Sequence, residues 1–588
     1  MGRLLLTNVE QWNLELRNCY EKYGCQESGY IQEDFFLTTY RKTNFKTYNL
    51  VQRGKNFIAS TGTLIYKDKV GKEALEELFF DMDITGIKDI RKELMGSYVV
   101  VYKKDDIVKI FVDETNTYAF YYSIDADKFI LTNTFYHIAR CLKPQISKCE
   151  MIEYALESCV LDEKTPFNNI NRIQAEDCIV LDLKNKKYAV EKIELNEYKL
   201  VNTEPQKIID ELCAVIRKYA KRQRNLTDNP VLFTTGGVDS RLMLATYLDA
   251  GFEPSIASWK GSPVIMNTKI QDTEITKKIA ETMNLNYQEY DVSQNFLEDY
   301  KKLDKKEFDD VGEYAVLYAH NKKWMHMIRN NVNIEFTDFG YFGEILKGWD
   351  LLDEKYKNPM KLDDYTDMYI GRSRYIGQDV HMKCFKEYRE SIKQKLNQIV
   401  NKEHMDSNNL SKDDCMKLYY HYRLHADTQR CGYVNQFCYS FIVYAQKEIA
   451  DLINQIPYQL KQREKLNLEL VYRMKPELLE LPYFSHCRYF KYDAKNNILR
   501  EKTINKLKGY LVRRLKASKL GGRLALLKRS KGNAESLMVK KLCASEIRKT
   551  KSFQSLEMEL DEKMLSYLPK YFRFLYVVRM SDFVLEED

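Results

Sequence analysis

The chain has 588 residues, with 92 Lys and Arg against 85 Asp and Glu, and therefore a formal net charge of +7. This length predicts about two to four domains, and a content of 44% hydrophobic and 13% aromatic residues excludes a disordered or low-complexity chain. The low numbers of Pro (11) and Gly (23) exclude fibrous and linker-dominated architectures. No run of 18 apolar residues occurs, so the sequence predicts no transmembrane segment.

The 13 cysteines are scattered from Cys19 to Cys543, with no CxxC pair and no Cys/His spacing typical of a zinc site. Scattered, unpaired thiols are expected in a reducing compartment, so the sequence predicts a cytoplasmic protein. Residues 1–18 contain a short apolar run that soon turns polar and acidic, which is not the pattern of a signal peptide.

Residues 1–200 are predicted to form mostly β-strands. Segments rich in Val, Ile, Phe and Tyr, separated by short polar turns, are typical of antiparallel hairpins. These segments lie at 56–68, 97–104, 107–114, 118–124, 128–133, 178–184 and 187–194. A helix is predicted at 71–82. We therefore predict an α+β domain of layered antiparallel sheets over 1–200.

From about residue 205, strands and helices alternate. Helices are predicted at 205–223, 241–250 and 272–284, and strands at 231–233, 255–259, 287–292 and 333–338. Repeated β-α-β units of this length indicate a parallel sheet with right-handed crossovers. Long helical patterns dominate after residue 300. We predict an α/β domain with a large helical part over 201–495 and a basic, mostly helical extension over 496–588.

The most informative stretch is VLFTTGGVDSRLMLA, residues 231–245, in which a buried strand leads through a Gly-Gly turn directly into a helix. Such a turn points backbone N–H groups and the helix N-terminus at one spot, which is an anion site. Gly236 and Gly237 leave room where a phosphate would come closest, and Asp239 beside phosphates suits a magnesium ion. Hydroxyl donors are supplied by Thr234, Thr235 and Ser240. The alternative is a tight strand–helix turn with Asp239 as an incidental helix-start residue.

A second glycine-rich loop, TDFGYFGEILKGW at 337–349, follows the strand predicted at 333–338. Loops at the carboxyl ends of strands are where α/β sheets bind ligands. Glu344 in this loop is predicted to complete a magnesium site with Asp239, because magnesium commonly takes one or two protein carboxylates plus phosphates. The alternative is a Gly-rich turn with solvated carboxylates.

The first loop resembles the SGGxDS pyrophosphate loop of the N-type ATP pyrophosphatases, with Thr in place of the first Ser; a Walker GxxxxGK[ST] motif is absent. The two loops together, in this order and about 100 residues apart, resemble the synthetase domain of the asparagine synthetase family. That family includes the β-lactam synthetases and the lasso-peptide cyclases. It activates a carboxylate as an acyl-adenylate and passes the acyl group to an amine. The resemblance implies an adenine-nucleotide α-hydrolase-like fold, with ATP and Mg²⁺ as cofactors.

Individual positions can be carried over from this resemblance. The stretch 340–348 resembles the GxGxDExxGG loop of the family, with Glu344 in place of its Asp, and Tyr341 falls where the family has a Glu or, in β-lactam synthetases, a catalytic Tyr. Asp272 matches a recurrent Asp near the nucleotide, and Ser258 falls where the family contacts adenosine. The implied nucleotide-binding set is Thr234, Thr235, Gly236, Gly237, Asp239, Ser240, Ser258, Asp272 and Gly340. A tyrosine with a pKa of about 10 is a poor base, so Tyr341 would need a nearby cation.

The N-terminal segments GTLIYKDK, LMGSYVVVYKKDD, VDETNTYAFYYS and ILTN resemble, in order and spacing, the Ntn-like class II glutamine amidotransferase domain of the same family. The resemblance is to a degenerate version, because residue 2 is Gly where the family uses a Cys nucleophile with its own α-amino group as base. We expect a non-catalytic scaffold that does not take nitrogen from glutamine. The catalytic lysine of the family has no clean counterpart. Unassigned candidates late in the chain are Arg430, Gln436, Lys475, Arg488 and Lys491.

Residues 501–550 contain 15 Lys and Arg and 3 acids, a local charge of +12. Leu507, Tyr510, Leu511 and Leu515 lie close to helical spacing, which indicates a solvated helix with one apolar face packed on the synthetase part. The alternative is contact with an anionic peptide, nucleic acid or membrane surface. Because no nucleic-acid motif is present, no nucleic-acid partner is expected.

The sequence therefore predicts an ATP-dependent amide ligase that releases AMP and pyrophosphate. One alternative is asparagine synthesis from aspartate with free ammonia, and another is a non-catalytic nucleotide- or peptide-binding relative. The carboxylate substrate and the amine acceptor are not identified by the sequence. A peptide, a small molecule and an intramolecular reaction all fit, and the oligomeric state is left open.

Overall fold

Two antiparallel sheets form the N-terminal part of the computed structural model, which describes residues 2–260, 268–291, 305–312, 327–331, 333–371, 383–485, 488–501, 541–555 and 568–585. The strands are β1 (Arg3–Thr7), β2 (Glu27–Gln32), β3 (Phe36–Tyr40), β4 (Leu50–Arg53), β5 (Asn56–Tyr66), β6 (Lys69–Val70), β7 (Leu94–Lys104), β8 (Ile107–Val112), β9 (Tyr121–Asp125), β10 (Lys128–Thr132), β11 (Asn171–Arg172), β12 (Asp177–Asp182) and β13 (Lys187–Lys192). The first sheet has the order β11-β9-β10-β1-β3-β2. The second has the order β13-β12-β8-β7-β5-β4, with β6 paired to β5.

The two sheets pack face to face. Successive side chains of a strand point to opposite faces, so one face of each sheet lies against the other sheet. Leu4 and Leu6 of β1 join a buried cluster with Val99 of β7 between the sheets, whereas Leu5 points away to the helices on the outer face. Those helices are α1 (Glu10–Lys22), α4 (Phe135–Leu142) and α5 (Lys148–Glu157), and α2 (Gly71–Ile84) and α3 (Ile87–Glu93) cover the second sheet. The prediction of layered antiparallel sheets in this part is confirmed.

A parallel sheet follows, as predicted. It consists of β14 (Val231–Phe233), β15 (Ser255–Lys260), β16 (Tyr287–Asp291) and β17 (Thr337–Asp338), in the order β16-β15-β14-β17. Its helices are α6 (Pro205–Arg222), α7 (Val238–Asp249) and α8 (Thr268–Met283). The strand predicted over 333–338 is wrong in length, since β17 covers only Thr337–Asp338; Phe336 forms an isolated bridge with Tyr439 from a distant segment, and its carbonyl accepts the N–H of Val231 in β14. Only two residues are left to pair with β14.

The rest of the described chain is mostly helical. Its helices are α9 (Lys305–Val311), α10 (Asp350–Lys355), α11 (Leu362–Gly371), α12 (Lys383–Lys402), α13 (Lys412–Val434), α14 (Lys447–Gln455), α15 (Tyr458–Lys461), α16 (Lys465–Met474), α17 (Lys551–Ser555) and α18 (Leu568–Leu585), with residues 541–549 also helical. A small antiparallel sheet contains β18 (Tyr483–Ser485), β19 (Arg488–Asp493) and β20 (Ile498–Glu501). In the described part, helices long and apolar enough to cross a membrane are absent.

The basic segment lies mostly outside the described residues, which end at 501 and resume at 541. The interpretation of its apolar face therefore stays a prediction, as do the domain boundaries near 200 and 495. Beyond it, α18 returns to the N-terminal part, where Arg573 donates hydrogen bonds to the backbone carbonyls of Ala155 and Leu156 in α5. The ten cysteines that the structure describes are all free thiols.

Segment 435–440, which follows α13, joins the helical part to the antiparallel sheets. The backbone N–H of Gly2 donates to the Gln436 carbonyl oxygen at 2.7 Å. The Lys42 Nζ donates to the Asn435 carbonyl oxygen at 2.5 Å, and the Thr63 hydroxyl donates to the Asn435 side chain at 2.6 Å. These contacts are buried and span more than 370 positions of sequence, so they fix the two parts of the chain against each other.

A buried charge cluster makes a second connection, between α12 and α5. Lys395 Nζ lies 2.6 Å from Glu153, 3.4 Å from Glu150 and 3.3 Å from Asp162. The side chains of Lys395 and Glu153 are 5% and 1% exposed. Glu150 also has Lys164 at 3.9 Å. Loss of the Lys395 ammonium would therefore mainly leave Glu153 and Asp162 uncompensated in a poorly solvated environment.

We expect Lys395→Met to lower the free energy of unfolding by about 3–5 kcal/mol, the usual effect of removing one partner from a buried ion pair. Urea denaturation followed by circular dichroism measures the change. Lys393→Met is the matched control, because Lys393 lies on the same helix as Lys395 but pairs with the largely exposed Asp363 of α11. This substitution should change the free energy of unfolding by less than about 1 kcal/mol. Equal effects of the two substitutions would contradict a structural role for the cluster.

Candidate functional site

The two loops singled out in the sequence lie side by side at one edge of the parallel sheet. The chain leaves β14 toward β15 and β16 on one side and returns to β17 on the other side. Neighbouring strands whose connections run in opposite directions leave a crevice at their carboxyl ends, which is where open α/β sheets bind ligands. Loop 234–237 follows β14 and loop 339–348 follows β17, so both border this crevice.

Two glycines allow the second loop to lie directly on the first turn of α7. Gly340 has a φ of +65°, and a Cβ there would lie 3.0 Å from the Cα of Ser240. A Cβ on Gly343 would lie 2.7 Å from the Cβ of Asp239. Real Cβ atoms do not come as close as the one at Gly343 would, and the positive φ of Gly340 is a conformation that residues with a side chain rarely adopt, so the contact between the loops favours glycine at both positions.

The first loop is held by its own side chains and by Asp272. The N–H of Gly236 donates to Asp272 Oδ1 at 2.9 Å, and the N–H of Gly237 donates to Thr235 Oγ1 at 3.2 Å. The N–H of Thr235 donates to Ser240 Oγ at 3.0 Å. The structure therefore brings together five of the predicted residues: Thr235, Gly236, Gly237, Ser240 and Asp272.

The N-terminus of α7 is open toward the crevice. Gly237 is its N-cap residue, with φ −80° and ψ 172°, and no side chain among the described residues caps it. A Cβ on Gly237 would meet, within 4 Å in the described structure, only Thr235 Oγ1. The first-turn N–H groups and the positive end of the helix dipole can therefore receive an anion.

Four charged side chains surround the first turn of α7. Asp239 accepts a hydrogen bond from Lys347 Nζ at 2.7 Å and one from the Asn467 amide at 3.0 Å. Glu344 accepts one from Arg423 at 2.7 Å. The two acids predicted as magnesium ligands are thus brought into one cluster, each with a basic partner.

The electrostatic balance shows that the four charges act on one another. Burial raises the pKa of Asp239, as does the negative charge of Glu344, whereas Lys347 and Arg423 lower it. Burial lowers the pKa of Lys347, but Asp239 and Glu344 outweigh this effect and raise it above its usual range. The charges of these two acids and two bases cancel, and Glu464 adds a further negative charge that also raises the pKa of Lys347.

Lys347, Arg423 and Asn467 were missed by the sequence reasoning. Lys347 lies within the second loop, three residues after Glu344, so the loop sequence itself was a signal that could have indicated it. Arg423 on α13 and Asn467 on α16 have no local motif, and only the fold brings them to the crevice. Lys475, one of the lysines considered, pairs with Glu477 on the surface instead.

Two predicted hydroxyls face the packing between the sheet and α8. Ser258 is 1% exposed, and its Oγ lies 2.7 Å from the hydroxyl of Tyr287. The Thr234 hydroxyl donates to Thr276 of α8 at 3.4 Å. Their assignment to the nucleotide stays a prediction.

Tyr341 lies at the end of a row of aromatic rings. It stacks on Phe339 with the ring centroids 5.3 Å apart, and Phe339 stacks on Phe233 at 4.9 Å. Phe233 in turn stacks on Trp259 at 4.3 Å. The row fixes the second loop on the sheet, and the role of Tyr341 as a base stays a prediction.

The residues at the crevice fit a magnesium ion in part. Within the described residues, groups of three or more His, Cys, Asp and Glu placed to hold a metal are absent. Asp239 and Glu344 supply carboxylate oxygens, which magnesium prefers, and it often takes only one or two carboxylates with phosphate and water completing the shell. These two residues would therefore hold the ion when a phosphate ligand is present.

The N-terminal part has little room for a nucleophile at position 2. A Cβ on Gly2 would lie 2.9 Å from the Asn435 carbonyl oxygen. Cys19 lies 3.7 Å from Nε2 of His137, which would suggest a catalytic pair. However, burial raises the pKa of Cys19 to about 11 and holds that of His137 well below its usual range. The pair therefore consists of a neutral thiol and a neutral imidazole, which is a poor nucleophile and base.

Comparison with known proteins adds only a distant similarity. Protein-family models and curated proteins give no match. Among solved structures, the chain is similar to a glutamine phosphoribosylpyrophosphate amidotransferase from B. subtilis complexed with ADP and GMP, with 8% identity, a TM-score of 0.23, and coverage of 49% of this chain and 65% of that one. A structure described as the allosteric regulatory enzyme of purine biosynthesis has 8% identity, a TM-score of 0.22, and coverage of 49% and 64%. The chain thus spans just under two thirds of the length of these structures, and the likeness carries no argument about the site.

We expect Gly343→Ala to lower the free energy of unfolding by about 1–3 kcal/mol, because the added methyl group overlaps Asp239 and must push the loops apart. Thermal unfolding measures the effect. Gly86→Ala is the control, since a Cβ there meets no atom within 4 Å in the described structure. A Gly343→Ala variant as stable as Gly86→Ala would show that the two loops are not in contact.

A pH effect is expected from Asp338, which accepts hydrogen bonds from the Tyr247 hydroxyl and the Gly340 N–H. Burial raises its pKa to about 6. The folded state holds this proton more tightly than the unfolded state. The protonated carboxyl therefore stabilises the fold at low pH, and the protein loses this stabilisation as pH rises from about 4 to 6. We expect Asp338→Asn to remove this loss, so its stability relative to wild type should rise by about 2–3 kcal/mol between pH 4 and 7. Stability profiles of the two proteins that run parallel would contradict the prediction.

Proposed function

We propose that this protein is an ATP-dependent ligase that activates a carboxylate as an acyl-adenylate and passes the acyl group to an amine, releasing AMP and pyrophosphate. The observation that supports it is the meeting of loops 234–237 and 339–348 at the switch point of the parallel sheet. There an open helix N-terminus adjoins two carboxylates and two cations. An anion-binding turn next to carboxylates is what a metal–polyphosphate substrate requires.

The protein's own groups account for binding and orientation of the nucleotide. The first-turn N–H groups of α7 bind the phosphates, and the released pyrophosphate stays there, beside the Gly236–Gly237 turn, whose own N–H groups are bonded to Asp272 and Thr235. Lys347 and Arg423 neutralise the negative charge that develops when the substrate carboxylate attacks the α-phosphorus, the electrostatic effect that contributes most to many such reactions. Asp239 and Glu344 would hold Mg²⁺, which supplies further charge neutralisation when bound.

The second step is attack of the amine on the acyl-adenylate. Tyr341 is the candidate for removing the proton of the amine, and it lies on the same loop as Lys347. A tyrosine needs a neighbouring cation to act as a base at neutral pH, because its ordinary pKa is about 10. The acyl donor and the amine acceptor are small molecules or peptides of unassigned identity.

Within the asparagine synthetase resemblance, the N-terminal part is a silent amidotransferase-like scaffold. The Asn435 carbonyl oxygen would lie only 2.9 Å from the Cβ of a nucleophile at residue 2. We therefore propose that the nitrogen donor is not glutamine. Free ammonia as the amine would make asparagine synthesis from aspartate the corresponding reaction.

Exchange of labelled pyrophosphate into ATP tests the first step, with a panel of amino acids and short peptides as carboxylate substrates. We expect exchange to require one class of carboxylate and to fall by about a hundredfold or more in Asp239→Asn, as when one charge-stabilising group is lost. The matched control is Asp451→Asn, which removes a carboxylate from a partly buried ion pair with Lys447 on α14. Exchange that Asp239→Asn leaves intact would refute the site.

The same assay distinguishes the alternatives. Exchange with aspartate, followed by asparagine formation from ammonium, would establish the ammonia-dependent reaction. Binding of ATP without exchange for any carboxylate would establish a non-catalytic nucleotide-binding protein. Equilibrium dialysis with labelled ATP provides that measurement independently of turnover.

A further inference from the structure

The four charges at the first turn of α7 are paired, so that each acid already has a basic partner. Both carboxylate oxygens of Asp239 accept a hydrogen bond, Oδ2 from Lys347 and Oδ1 from Asn467. Glu344 is held by Arg423 at 2.7 Å. A metal ion that enters between the acids must therefore displace a cation.

The pairing also opposes a free metal ion electrostatically. The side chains of Asp239, Lys347 and Arg423 are 22%, 26% and 14% exposed, so water screens their charges only partly. A divalent cation near Asp239 would meet two positive side chains. A polyphosphate, in contrast, is the preferred partner of lysine and arginine and would draw both toward itself.

We propose that Lys347 and Arg423 act as internal counter-ions that keep Asp239 and Glu344 closed to a free divalent cation. A polyphosphate bound at the N-terminus of α7 withdraws both cations and opens the acids, so that the metal binds only together with the nucleotide. The inference rests on the proposed function for the identity of the polyphosphate. By thermodynamic linkage, the metal must strengthen polyphosphate binding by the same factor.

Lys347 and Arg423 are thus positioning residues for metal entry as well as partners of the phosphates. Asn467 supports this arrangement, because its amide also donates to the Gly343 carbonyl at 3.3 Å and ties Asp239 to the second loop. Asn467 Oδ1 is buried and has no hydrogen-bond partner within the described part of the chain. The amide is neutral, so it holds the Asp239 carboxylate in place without adding a positive charge that would oppose a metal ion.

The experiment titrates Mn²⁺ alone into the full-length protein and follows the free ion by electron paramagnetic resonance. We expect weak binding to wild type, and binding at least about tenfold tighter to Lys347→Met, the size of an ordinary coupling between two ligands. Lys347→Arg should restore the closed state. Lys447→Met is the matched control, because it removes a lysine from an ion pair with the single carboxylate of Asp451 and should bind Mn²⁺ as weakly as wild type.

Two further variants locate the effect. In Lys347→Met/Asp239→Asn the tight Mn²⁺ binding should disappear. Arg423→Gln should also strengthen Mn²⁺ binding, and it keeps the test decisive if Lys347→Met fails to fold. Wild type that binds Mn²⁺ as tightly as the Lys347→Met and Arg423→Gln variants would overturn the proposal, and so would variants that gain no affinity.

The coupling to polyphosphate is measured separately, by equilibrium dialysis of labelled inorganic pyrophosphate with and without Mn²⁺. We expect Mn²⁺ to strengthen pyrophosphate binding to wild type about tenfold and to lose most of this effect in Lys347→Met. An unchanged pyrophosphate affinity in wild type would overturn the coupling. If wild type shows no pyrophosphate exchange but Lys347→Met gains Mn²⁺ affinity, the ligase is refuted and the counter-ion role stands. If wild type shows exchange but Lys347→Met gains no Mn²⁺ affinity, the counter-ion role is refuted and the ligase stands.

Discussion

The absence of a side chain at Gly343 is the constraint on which the candidate site depends. A Cβ there would lie 2.7 Å from the Cβ of Asp239, so only glycine allows loop 339–348 to cross the first turn of α7. This crossing places Glu344 and Lys347 beside Asp239, although about 100 residues separate them in sequence. If the loop lay farther from α7, Glu344 and Lys347 would no longer reach Asp239, and the helix N-terminus would have no charged neighbours from the loop.

Charge neutrality is the second requirement of that contact. Acids brought together out of water are destabilising unless cations compensate them, and loop 339–348 supplies both signs. Its Lys347 pairs with Asp239, while its Glu344 needs Arg423 from α13. The site is therefore built from three separate elements, and the helical part contributes charge as well as packing. The same side chains therefore stabilise the contact between the loop and α7.

The sequence predicted the strand–turn–helix at 231–245 well, because Gly236, Gly237 and the flanking periodicity are local signals. The antiparallel and parallel sheets were also predictable from alternation and β-α-β spacing. Strand 333–338 was not, since Phe336 pairs with Tyr439, and no local pattern reports a partner 100 positions away. Arg423 and Asn467 were missed for the same reason, because their roles depend on where α13 and α16 pack.

The pairing of segment 435–440 gives the N-terminal part a physical role. Its residue Tyr439 donates its N–H to the Glu335 carbonyl and accepts one from the Thr337 N–H, at 2.8 and 3.0 Å. The N-terminal part binds the same segment through hydrogen bonds from the N–H of Gly2 and the side chain of Lys42. The antiparallel sheets therefore hold the strand that begins loop 339–348. The site depends on this support, because without it the carboxylate and the lysine of loop 339–348 would not face α7.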